Sequence, residues 1–169
     1  SLPSAGHITI AGGYGNCGDP MNSAPPIIGN TDHFVFEIKN NSLISLKNLQ
    51  ITGSASRGII VNESASVYLE NVDVSDNVAG IRILGGAYVE VDENSIVVDN
   101  GHLDDISKGG GIWCFGNNSE VAIAGKLEQN SAVSGGNMYI ENGCFATLEG
   151  GANIKGGLSN GMLYSAHYG

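Results

Sequence analysis

Between Phe34 and Ala79 the apolar residues fall in short alternating triplets, and the same arrangement is written twice with a period of about 23 residues. FVFEIKNNSLISLKNLQITGSAS is followed directly by RGIIVNESASVYLENVDVSDNVA, so Phe36 aligns with Ile59, Ile38 with Val61, Ile44 with Val67, Leu46 with Leu69, Leu49 with Val72 and Ile51 with Val74. Each copy carries three apolar-x-apolar triplets, which predicts three short strands whose alternate side chains point to one side. One copy cannot bury that side by itself. Copies stacked in parallel, each strand on its equivalent, enclose a continuous apolar interior. No stretch shows the i, i+3, i+4 stripe of a helix. The pattern therefore predicts an all-β parallel solenoid, with three short strands in each coil of about 23 residues.

The pattern drifts after Ala79 without stopping. Ile81 and Ile83, then Val89 and Val91, then Ile96 and Val98 are expected to face inward in the next coil. A polar insertion over 99–110 precedes GIWCFGNNSEVAIAGKLEQNSAVSGG and NMYIENGCFATLEGGANIKGG, and Gly161-Met162-Leu163-Tyr164 opens a coil that is not completed. Upstream, His7 to Ile10 alternates like a strand, and the run from Gly12 to Pro20 is turn chemistry, as is Pro25-Pro26. The expectation is one domain over 1–169, with an irregular coil over 1–33, regular coils over 34–157 and a partial coil over 158–169. Ser1 opens no signal-peptide pattern and no polar cap is evident at the far end, as expected for a segment of a longer protein or for end-to-end self-association.

Composition sharpens this picture in a few places. Gly, at 26 of 169 residues, is well above the usual ~7% and collects at block edges, where turns are needed. A net charge of −10 with only seven Lys and Arg excludes nucleic acid as a natural ligand, because phosphate binding rests on cationic side chains. No apolar run approaches the roughly 20 residues that span a bilayer as a helix. Cys17, Cys114 and Cys144 match no zinc spacing. Cys114 falls at an inward position of its triplet, so a buried thiol is expected there, with a disulfide between two of the three cysteines as the alternative. Asn48 and Asn71 occupy one corner, where Asn tolerates the left-handed backbone and its amide can stack from coil to coil. The Asn-x-Ser sequons at Asn40, Asn62 and Asn117 are read as ordinary turn composition.

The repeated form Gly-Ile-x-Val-x-Asn-x-Ser-x-Val-x-Leu-x-Asn-x-x-Val-x-x-Asn-x-Ala, opened by a strand, Gly-Gly-Tyr and a Cys-Gly-Asp loop, resembles right-handed parallel β-helix repeats over roughly Ile8 to Gly157. It is most similar to those of bacterial polymorphic outer-membrane proteins and autotransporter passengers. The resemblance implies a right-handed parallel β-helix, exported and displayed extracellularly or on a bacterial cell surface. It does not fix an activity, because lyases, hydrolases, tailspikes and adhesins share the scaffold.

Inward positions fill the core, so chemistry is sought on outward ones. In the first triplet of each coil these form the column Glu37, Ile60, Arg82, Trp113, Tyr139 and Leu163, with neighbours about 4.8 Å apart. The single Trp between Arg82 and Tyr139 offers flat faces and a hydrogen-bonding fork, which suit a sugar ring or an amphipathic peptide. Cross-strand aromatic stacking is the structural alternative. The second face carries Ser45, Tyr68, Glu90, Ala122 and Thr147.

The insertion gathers His102, Asp104 and Asp105 just before Trp113. Paired carboxylates could serve as acid and base in glycoside hydrolysis, and Asp99, Asp104 and Asp105 could hold Ca²⁺ through oxygen ligands. Neither signature is complete. Polygalacturonases would show Asn-Thr-Asp before Asp-Asp and Arg-Ile-Lys after it, whereas here Arg82-Ile83-Leu84 precedes Asp104-Asp105. The sequence thus predicts a non-catalytic adhesin-like module that binds a glycan or cell-surface ligand through Arg82, Trp113 and Tyr139, with no obligate cofactor. A polysaccharide lyase or hydrolase is the second expectation and a structural spacer the third.

Overall fold

A computed structural model describes residues 6–12, 27–29, 32–101 and 108–159. The expectations placed on Gly13 to Pro26, Cys17, His102, Asp104, Asp105 and Leu163 lie outside these residues. The described residues form seventeen strands and no helix. In chain order they are β1 (His7–Ala11), β2 (Ile27–Gly29), β3 (Phe36–Ile38), β4 (Leu43–Thr52), β5 (Arg57–Val61), β6 (Ser66–Ser75), β7 (Ala79–Ile83), β8 (Tyr88–Val91), β9 (Ile96–Val98), β10 (Ile112–Phe115), β11 (Glu120–Ile123), β12 (Lys126–Glu128), β13 (Ser131–Ala132), β14 (Met138–Glu141), β15 (Phe145–Leu148), β16 (Asn153–Lys155) and β17 (Leu158–Ser159).

Every pairing is parallel and joins a strand to its equivalent in the next coil, as the repeat requires. β3, β5, β7, β10 and β14 stack as one five-stranded sheet. The other two faces belong to a single ten-stranded sheet, because β4 and β6 each run ten residues and turn the corner without a break. Here the molecule differs from the expectation of separate second and third strands. The bend is absorbed by single left-handed residues, Asn48 at φ 52° and Asn71 at φ 54°, and the Asn71 amide donates to Asn48 Oδ1 at 2.9 Å. The register matches the sequence alignment pair for pair: Phe36 lies on Ile59, Ile44 on Val67, Leu46 on Leu69 and Ile51 on Val74.

The enclosed column of Leu46, Ile51, Ile59, Leu69, Ile81, Ile83, Ile112, Ile123 and Leu127 is inaccessible to solvent. Burial of each such side chain contributes about 1.5–3 kcal/mol. One inward assignment shifts by a residue. Val97 is fully buried, while Ile96 and Val98 point outward and are half-covered. The corner of this coil is the four-residue turn Asp92 to Ser95 in place of a lone Asn. Ser95 therefore takes the inward place that Val72 fills one coil below, and its hydroxyl accepts from the Val72 amide at 3.0 Å.

Cys114 is buried as expected, but it is not a free thiol. It is bonded to Cys144, 30 positions further along the chain, with Cα atoms 5.9 Å apart. The positions below Cys144 in the stack are Ser119, Ala87 and Ala65, all fully buried. This corner accepts only small inward side chains, and that leaves room for a sulfur to reach the neighbouring coil.

A second ladder of asparagines, all buried, runs along another corner. The Asn77 amide donates to Asn100 Oδ1 at 3.0 Å, Asn100 to Asn130 Oδ1 at 3.0 Å, and Asn130 to Asn137 Oδ1 at 3.0 Å. Each Oδ1 also accepts a backbone N–H from the coil below, and each Nδ2 also reaches a strand carbonyl, such as Val74 O at 2.7 Å from Asn100. Each member from Asn77 to Asn130 follows a left-handed residue, in turn Asp76, Asp99 and Gln129. The ladder demands glycine beside it: a Cβ on Gly111 would lie 2.5 Å from Asn137 O and 2.8 Å from Asn130 Nδ2.

Candidate functional site

On the outer face of the five-stranded sheet, parallel register sets one residue of each coil directly above the last. Glu37 lies on Ile60, Ile60 on Arg82, Arg82 on Trp113, and Trp113 on Tyr139. The expected column is therefore real over these five residues, and it brings Arg82, Trp113 and Tyr139 together. The ring of Trp113 is half-buried, and Arg82 lies over it with the guanidinium carbon 4.5 Å from the ring centroid. Contacts of this kind contribute about 0.5–2 kcal/mol, more where water is excluded.

Three further residues complete the site and were not singled out from the sequence. Glu141 ends β14 and lies beside Phe115 in register. Its carboxylate accepts from Trp113 Nε1 at 2.9 Å and from Lys108 Nζ at 2.8 Å on both oxygens. The indole is thereby fixed in rotation. Lys108, at the end of the insertion, sits 5.1 Å from the Tyr139 ring centroid and 5.8 Å from that of Trp113. The hydrogen bond to Glu141 holds its ammonium above the ordinary lysine range. Arg57 is the third. It is only 8% exposed, lies 5.3 Å from the Trp113 ring, and donates to the carbonyls of Lys108 at 3.1 Å and Gly109 at 3.3 Å. Burial first, and the Arg82 charge second, push its guanidinium down to about 10.

The charge balance of this patch runs against that of the chain. Among the described residues, Arg57, Arg82 and Lys108 have one carboxylate beside them, Glu141, and that carboxylate is committed to Lys108. Among the described residues neither arginine has a carboxylate partner. Arg82 Nε is buried with no hydrogen-bond partner at all.

The remaining candidates stand elsewhere. Asp99 is an exposed corner residue with φ 53°, placed there by the ladder geometry of Asn100, and no group of three or more His, Cys, Asp or Glu side chains suited to a metal gathers among the described residues. His102, Asp104 and Asp105 are outside the described residues. The second face follows its expected register, Ser45 on Tyr68 on Glu90 on Ala122 on Thr147. Its polar groups satisfy one another: His7 Nε2 meets Ser45 Oγ at 2.8 Å, and the Tyr88 hydroxyl donates to Glu90 at 3.0 Å.

Sequence could have flagged Glu141, which follows Tyr139 by two residues and so shares its outward face. Arg57 and Lys108 could not be assigned that way, since one lies at a strand start and the other in the insertion. Neither a curated protein nor a solved structure matches the chain. The family model described as a right handed beta helix region matches residues 34–152, the same stretch in which the parallel coils stack, and the chain belongs to that family.

Proposed function

We propose that this chain is a carbohydrate-binding module of an exported, surface-displayed bacterial β-helix protein, of the polymorphic outer-membrane or autotransporter-passenger kind, acting in adhesion without catalysis. The observation that carries this is the placement of Arg82, Trp113 and Tyr139 on three successive coils of one outward face, with the indole oriented by Glu141. A rigid stack presents these groups with little freedom to lose on binding, which favours recognition of an extended chain. The Cys114–Cys144 disulfide supports export, because such bonds persist in oxidising compartments.

The test is a panel of immobilised glycans and soluble polysaccharides, scored for retention of the protein and for release of product in the same wells. Retention without product, lost in Trp113→Ala and Tyr139→Ala, is the expected result. New reducing ends or unsaturated products that vanish in Asp104→Asn or Asp105→Asn would replace this function with a polysaccharide-cleaving one. No retention on any glycan would leave the coils as a spacer.

A further inference from the structure

Among the described residues, the outer face of the five-stranded sheet holds a positive charge with no ionic partner. Ion pairing in the described residues uses Lys39, Lys47, Lys108 and Lys155, and leaves Arg57 and Arg82 without a carboxylate, although the chain has 17 Asp and Glu against seven Lys and Arg. Arg57 satisfies itself on backbone carbonyls. Arg82 does not, and its buried Nε has no partner. The Trp113 ring already has guanidinium carbons at 4.5 and 5.3 Å from its centroid, so a neutral sugar cannot lie flat on it without displacing a cation. A ligand approaching this face meets the Arg82 fork together with the ring. A guanidinium offers paired N–H donors in the geometry that a planar or tetrahedral oxyanion accepts.

We infer that the ligand is an acidic glycan, whose carboxylate or sulfate ester is bound by Arg82 beside Trp113. The inference rests on the glycan-binding function proposed above and names its ligand class. Arg57, buried 5.3 Å from the centroid of the same ring, adds positive potential without touching the ligand, and Glu141 keeps Lys108 from competing for the anion.

Affinity is to be measured by titration with two matched pairs: polygalacturonate against its fully methyl-esterified form, and dextran sulfate against dextran. The expected result is at least tenfold tighter binding of a charged member than of its neutral partner, with the carboxylate or the sulfate pair showing which anion is recognised. Arg82→Gln should erase that difference, Arg82→Lys should restore part of it, and the preference should weaken as salt rises. Unfolding midpoints of both variants check that the fold is retained. Equal binding of charged and neutral forms, lost in Trp113→Ala, overturns the inference and leaves glycan binding standing. Charged glycans bound equally by Arg82→Gln also overturn it, because the anion then sits elsewhere. Binding of none of the four overturns the inference, and retention on no glycan of the wider panel overturns the binding function with it.

Discussion

Two stacks of repeated side chains run along this solenoid, and they are built on opposite terms. Along the buried corner, every amide nitrogen and oxygen of Asn77, Asn100, Asn130 and Asn137 has a hydrogen-bond partner, either another member of the ladder or the backbone. Along the outer face of the five-stranded sheet, Arg82, Trp113 and Tyr139 are stacked at the same coil spacing, yet Arg82 Nε is left without a partner. Repetition places side chains in register in both cases. Partnered amides make one stack part of the structure, and the other keeps a donor with no partner.

The contrast is broken most severely from the buried side. Asn100→Ala would leave Val74 O, Val98 O and the Asn77 amide without their partners. At about 1–3 kcal/mol for each buried group left unpaired, the loss is about 3–9 kcal/mol, read as a fall in the urea unfolding midpoint. Removal of the Cys114–Cys144 bond, which closes 30 residues, should cost about 3–4 kcal/mol by the chain-entropy relation. The check is the unfolding free energy of the Cys114→Ala, Cys144→Ala double variant against the oxidised protein.

The exposed corner gives a smaller effect. Asn48→Ala removes the short amide side chain that lets Asn hold φ 52° at low cost and should lose about 1 kcal/mol, whereas Asn48→Gly adopts that φ freely and should lose less than half of that. Thermal midpoints of the pair separate backbone strain from the Asn71 hydrogen bond. On the outer face, Arg82→Gln loses only the contact with Trp113 and should cost about 0.5–1 kcal/mol in the same denaturation assay, while erasing the preference for charged over neutral glycans described above. A large stability loss there would show that the outer stack is structural too, and the contrast would fail.

Much of this was legible in the chain. The doubled block fixed parallel stacking, the register of β4 on β6 and the outward column, since the pairing of equivalent positions needs only a period and a parity. Parity misassigned Ile96 and Val98, because a four-residue turn at Asp92 to Ser95 advances the count by one and only the stacking of Val97 on Val74 restores it. The buried asparagines were visible as recurring Asn-x-Ala and Asn-Gly pairs, but burial of an amide depends on partners supplied by neighbouring coils.

The fold follows from the chain's own pattern: apolar alternation at a constant period buries every inward side chain when the coils stack in parallel. The chemistry of the surface and of the cysteines arises only once the coils are stacked. Arg57, Lys108 and Glu141 converge on Trp113 from two different coils and an insertion, and Cys144 reaches Cys114 across a small-residue corner. Such meetings depend on side-chain reach and on what lies one coil away, which no local pattern encodes.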